Sequence, residues 1–184
     1  MNTQSIIRLG GIAAIVCVVL YVASIGLWMG AGTESSPPLA TAAYMASQAI
    51  FFVTLYALYL IHREEAPALI LVGVLVLGIS IAASFFVDPT DMNNPVVLYL
   101  TIGYGVGGLI LGWLAYRSPR LSKGIGIAAL LTGAFSLIMV PFMVAGQTEL
   151  VGLLNLLVSL PYLVWLGWLG WRLLRQGAAA AQPA

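Results

Sequence analysis

GIGIAALLTGAFSLIMVPFMVA, residues 124–145, is a run of 22 residues that contains no Asp, Glu, Lys or Arg. An α-helix needs about 20 consecutive apolar residues to cross the hydrocarbon core of a bilayer. A charged side chain at the centre of such a helix costs about 2.5–3.5 kcal/mol. The run therefore predicts a membrane-spanning helix. Five further uncharged runs occupy residues 9–30, 40–61, 68–87, 96–116 and 150–171.

The composition of the whole chain agrees with six spans. Of its 184 residues, 61% are hydrophobic and 7% are charged, whereas about 25% of the residues of a soluble domain are charged. This composition excludes a soluble globular protein. The net charge of +1 excludes the basic surface that binds nucleic acid. We expect residues 1–184 to form a single all-α, polytopic domain of six transmembrane helices.

The distribution of the charges predicts the orientation of the chain. With six spans, all the Lys and Arg residues fall on the side of the two termini: Arg8, Arg63, Arg117, Arg120, Lys123, Arg172 and Arg175. The other side carries only acids: Glu34, Asp88, Asp91 and Glu149. Loops rich in Lys and Arg stay in the cytoplasm. The sequence thus predicts a multi-pass protein of the cytoplasmic (inner) membrane with both termini cytoplasmic.

The first run, preceded by Arg8, also has some features of a secretory signal peptide. It is longer than the usual apolar region of about 7–15 residues, and no convincing cleavage site follows Trp28. We expect this helix to be retained.

A repeated sequence closes the even-numbered helices. Residues 111–117 read LGWLAYR and residues 166–172 read LGWLGWR, identical at five of seven positions, and residues 57–63, ALYLIHR, are a weaker copy. This self-similarity predicts three tandem helical hairpins over about 9–63, 68–117 and 124–172, followed by a cytoplasmic tail at 173–184. The alternative is that Trp, Leu, Gly and Arg are simply common at the inner ends of membrane helices.

A few uncharged polar residues inside the runs are candidates for a site. In the sixth run Asn155, Ser159 and Tyr162 share one helical face, and Gln48 lies in the second run. With the segments bent by Pro141 and Pro161, these residues could line a cavity between helices 2, 5 and 6. The alternative is that they form hydrogen bonds between packed helices.

Glycine residues mark the fourth run as a packing helix. Gly103, Gly107, Gly108 and Gly112 form two overlapping faces of small residues, which allow a neighbouring backbone to approach closely. The neighbour could lie in the same chain or in another subunit. We expect a central, tightly packed helix.

The chain has one histidine and one cysteine, which excludes a bis-histidine haem, a zinc site of several His or Cys ligands and an intramolecular disulfide. His62 aligns in the repeat with Tyr116 and Trp171, so we interpret it as a ring at the membrane surface. The alternative is a functional His62, as a pigment or metal ligand or as a proton relay. We expect no cofactor and no metal. Arg117, Arg120 and Lys123 are expected to contact anionic lipid.

Neither an acid–base pair nor an activated nucleophile is apparent in the six runs. We therefore expect a protein that is not an enzyme. The favoured function is an accessory or scaffold module that packs in the lipid bilayer against a membrane-protein partner or a second copy of the chain. The alternative is a small uncoupled transporter or binder of a neutral or apolar molecule, using the cavity of Gln48, Asn155, Ser159 and Tyr162.

Overall fold

A computed structural model of the chain describes residues 2–30, 37–87 and 94–179, with side chains up to residue 176. The described residues form helices and the connections between them. The helices are α1 (Thr3–Gly30), α2 (Pro38–His62), α3 (Pro67–Ser84), α4 (Pro95–Arg117), α5 (Lys123–Val144) and α6 (Thr148–Ala179). All six are long and apolar enough to cross a membrane, which confirms the predicted class and number of spans. Glu34, Asp88 and Asp91 lie outside the described residues.

Local sequence explains where several helices begin and end. Pro67 and Pro95 are the first residues of α3 and α4, positions at which a missing N–H breaks no helical hydrogen bond. The Asn94 side chain caps α4 by accepting a hydrogen bond from the Val96 N–H at 3.0 Å. α3 ends three residues before its apolar run does, because its last turn tightens and the Phe86 N–H bonds the Ala83 carbonyl at 3.1 Å.

α6 extends beyond its apolar run. The residues after Trp171 are good helix formers, namely Leu, Arg, Gln and Ala, except for Gly177, and the helix continues to Ala179. The Arg175 guanidinium lies 4.6 Å from the centre of the Trp171 ring, a cation–π contact. The charged tail thus begins as helix.

The chain divides into two compact units. The first unit comprises residues 1–58 and 166–184. In it α1 contacts α2, where Gly10 faces Ala57 and the Thr54 Oγ1 donates to the Gly10 carbonyl at 3.2 Å. α1 also contacts the last part of α6, because a Cβ built on Gly11 would lie 2.9 Å from the Gly170 carbonyl oxygen. Small residues therefore set the helix spacing in this unit.

The second unit comprises residues 59–165. Here α4 contacts both α3 and α5. Ser80 of α3 faces Gly103 of α4, and the backbone of α4 at Gly108 approaches Gly133 of α5. α4 is therefore the shared neighbour of the other two helices in this unit.

Candidate functional site

The four residues of the predicted cavity fall in different units. Gln48 is buried on α2 in the first unit, and Asn155, Ser159 and Tyr162 lie on α6 in the second. Asn155 is exposed and Tyr162 is half-buried, with its ring 6.2 Å from that of Trp165. A surface depression of about 420 Å³ lies at the α5–α6 connection, lined by residues 146–150, and none of the four predicted residues lines it. The predicted cavity stays a prediction.

The hydroxyl groups inside the spans bond mainly to the backbone of their own helix. Ser159 Oγ donates to the Asn155 carbonyl at 2.8 Å, and Thr132 Oγ1 donates to the Ala128 carbonyl at 2.9 Å. The same bond, to the carbonyl three or four residues earlier, is made by Ser24, Ser47, Ser80, Ser84, Thr101 and Ser136. A hydroxyl has a single hydrogen to donate. These donors are thus already used within one helix.

One face of α4 packs on α3. Gly103 faces Ser80, and a Cβ built on Gly107 would lie 2.7 Å from the Leu77 Cβ. Real Cβ atoms essentially never come that close to another heavy atom. Glycine is therefore required at Gly107 for α3 to lie where it does, whereas at Gly103 the nearest atom is the Ser80 hydroxyl, which can rotate away.

The other face of α4 packs on α5. A Cβ built on Gly108 would lie 3.2 Å from the Gly133 Cα, and one built on Gly112 would lie 2.6 Å from the Leu130 backbone nitrogen. The four glycines singled out in the sequence thus contact neighbours within the same chain. These contacts leave both glycine faces of α4 occupied.

A polar cluster that the sequence did not predict joins two connections in the second unit. His62, the last residue of α2, is only 1% exposed, and its Nδ1 lies 3.0 Å from Glu65 Oε2. The interpretation of His62 as a ring at the membrane surface is therefore wrong. The cause is the tight turn after α2, in which the Ala66 N–H bonds the His62 carbonyl and Glu65 is brought back to the ring.

The α4–α5 connection supplies the rest of this cluster. Ser118 Oγ donates to Glu65 Oε1 at 3.2 Å, and Arg120 Nε lies 3.5 Å from the same oxygen. Arg120 also donates to the Ile61 carbonyl at 3.1 Å and lies 3.4 Å from a carboxylate oxygen of Glu64. The Arg120 guanidinium thus pairs with two carboxylates of the protein while its side chain stays 48% exposed, and its contact with anionic lipid stays a prediction.

One sequence signal could have identified this cluster. Glu64 and Glu65 are the only two acids on the predicted side of the chain that otherwise carries only bases. Acidic side chains that lie among basic ones are expected to pair with one of them. The sequence could not say which base, because Arg120 is more than fifty residues away.

Among the described residues, no group of three or more His, Cys, Asp and Glu side chains could hold a metal ion. His62, Glu65, Ser118 and Arg120 are therefore best described as a hydrogen-bonded and ionic cluster with one titratable ring. Comparison of the chain with family models, curated proteins and solved structures finds no match.

Proposed function

We propose that this protein is a non-catalytic accessory or scaffold module of the cytoplasmic membrane. In this proposal both termini are cytoplasmic and the six helices form three tandem hairpins. The module associates through its outer surface with a partner membrane protein. With six spans, all seven Lys and Arg residues fall on the side of the two termini. Loops rich in these residues stay in the cytoplasm, which supports this orientation.

Internal packing supports a structural role. Both glycine faces of α4 are occupied by α3 and α5, and most hydroxyl donors described in the spans are bonded to their own helices, with Thr54 bonded to α1. Such a unit holds a fixed shape. A partner must therefore use another surface than the glycine faces of α4.

The observation that carries the proposal is an exposed apolar stripe on the first part of α6. Leu153, Leu157, Leu160 and Val164 follow one another at intervals of four, three and four residues, and are 62%, 49%, 62% and 54% exposed. We call these four residues the α6 leucine face. Spacings of three and four residues along one stripe are those of helices that pack against another helix. The four side chains therefore form one continuous apolar surface, against which a partner helix can pack.

Native mass spectrometry of the full chain, extracted gently from its own membrane, tests the proposal. We expect a complex with a second membrane protein at defined stoichiometry. Retention of a small molecule by the chain alone would instead support the alternative transporter or binder. A chain that carries only lipid would contradict both functions.

A further inference from the structure

The two ring nitrogens of His62 have different surroundings. Nδ1 lies 3.0 Å from a carboxylate oxygen of Glu65, which can only accept a hydrogen bond when ionised. This contact assigns the hydrogen of the neutral ring to Nδ1. Nε2 is then a bare acceptor. It is buried and has no hydrogen-bond partner among the residues that the structure describes.

The Glu65 carboxylate links this ring to the α4–α5 connection. Its second oxygen accepts from Ser118 and lies beside the Arg120 guanidinium. The charged groups near the ring are thus Glu65, from the α2–α3 connection, and Arg120, from the α4–α5 connection. A carboxylate oxygen of Glu64 lies 3.4 Å from Arg120 Nη2. The Glu65 carboxylate thus contacts both the His62 ring and the α4–α5 connection.

We propose that Nε2 of His62 is a proton-binding site, and that proton uptake there releases the α2–α3 connection from the α4–α5 connection. The proton comes from solvent and binds the Nε2 lone pair, and no covalent bond breaks. It creates a buried N–H without an acceptor. A buried unpaired donor of this kind is unfavourable.

The unfavourable donor is relieved when the ring turns to bring Nε2–H to water. That movement takes Nδ1 away from Glu65, which then no longer holds Ser118 and Arg120 in place. The cluster is closed when the His62 ring is neutral. It is therefore intact at pH values at which the ring stays neutral, and it opens as the pH falls and the ring binds a proton.

His62 is the only histidine in the sequence, so an isotope label on histidine reports this ring alone. The full chain, purified with a histidine-free tag into lipid nanodiscs, is titrated from about pH 8 to about pH 4 by ¹⁵N NMR, because buried histidines bind protons at lower pH than exposed ones. We expect the neutral Nδ1–H tautomer at the start of the titration and the imidazolium at its acidic end. A dominant Nε2–H tautomer at the start, or a ring that stays neutral at the acidic end, would overturn the proposal.

Hydrogen exchange over the same pH range tests the coupling. After correction for the intrinsic effect of pH, we expect the backbone amides of residues 63–66, 118 and 120–122 to exchange about tenfold faster once the ring is protonated. The H62N variant carries an amide that can donate to Glu65 but does not titrate, and its exchange should not respond to pH. E149Q, which removes an exposed acid elsewhere in the same unit, should respond like the wild type.

Two exchange results would contradict the coupling. One is a ring that titrates while these amides keep the same protection. The other is an H62N chain that responds to pH as the wild type does. If H62N does not fold, the NMR titration and the hydrogen exchange of the wild-type chain together still test whether protonation of His62 is coupled to the two connections.

Discussion

Gly105 of α4 and Gly133 of α5 approach each other backbone to backbone. A Cβ built on Gly133 would lie 2.7 Å from the Gly105 carbonyl oxygen, and one built on Gly105 would lie 3.2 Å from the Gly133 carbonyl oxygen. Neither carbonyl can move without distorting its helix. The distance between these two helices is therefore set by the absence of two side chains.

Replacing Gly133 by Ala should destabilise the protein. The new methyl would also meet the Leu109 backbone nitrogen at 2.6 Å, and overpacking of this kind costs about 1–3 kcal/mol. G152A is the matched control, since no described atom lies within 4 Å of a Cβ built there, and Ala is favoured over Gly in a helix by about 0.5–1 kcal/mol. Unfolding in SDS should show G133A less stable than the wild type and G152A at least as stable. Equal stabilities for the two variants would refute this account of the contact.

Thr54 makes a side-chain hydrogen bond between two helices. Its Oγ1 donates to the Gly10 carbonyl at 3.2 Å, and Thr54 is fully buried. T54V keeps the shape of the side chain but removes the donor, and we expect a loss of about 0.5–1.5 kcal/mol. T132V removes a hydroxyl that bonds to its own helix. We therefore expect T132V to lose less than half as much free energy of unfolding as T54V. The same unfolding measurement checks both, and a larger loss in T132V would contradict the assignment.

The bases of the α4–α5 connection should differ in their contribution to anionic lipid binding. Arg117 and Lys123 lie over the Trp113 and Tyr116 rings at 5.6 and 5.7 Å, whereas Arg120 is held by Glu64 and Glu65. A Lys or Arg near an anionic membrane surface contributes about 1 kcal/mol. R117Q and K123Q should each lower the retention of phosphatidylglycerol in native mass spectra by about fivefold.

R120Q is the informative comparison for those two variants. Because its charge is already balanced by acids, R120Q should change lipid retention much less. If it lowers retention as strongly as R117Q, the ion pairs of Arg120 do not restrict its contact with lipid.

The orientation can be tested with single cysteines. Cys17 is buried and can be replaced by Ala to give a background without exposed thiols. Asn2 and Gln147 are exposed positions on opposite predicted sides. In intact cells a membrane-impermeant maleimide should label Q147C and not N2C, since both termini are predicted in the cytoplasm. Labelling of N2C alone would reverse the predicted orientation.

Much of the fold could be predicted because a bilayer imposes simple rules. The uncharged runs predict the six helices, and Pro67, Pro95 and Asn94 predict helix starts that the structure confirms. The ends were less predictable. α6 continues through Arg172 and Arg175 because long basic side chains can extend along a helix toward water.

The polar cluster could not be predicted from local sequence for a physical reason. The pairing of Glu65 with Arg120 depends on which connections meet in three dimensions, and no local periodicity encodes this. The repeat was misleading at His62, because a position equivalent to two aromatic residues at helix ends proves to be buried. Equivalent positions in similar segments need not have the same burial.

The role of the α6 leucine face is the central claim, and co-purification of the partner tests it most directly. L157A/L160A shortens two side chains of this face. The control, L75A/I79A, shortens two side chains of α3 that are 51% and 66% exposed. Quantitative mass spectrometry should show about tenfold less partner on L157A/L160A, the loss expected for about 1.4 kcal/mol, and unchanged partner on L75A/I79A. Equal recovery of the partner with both variants would contradict the claim.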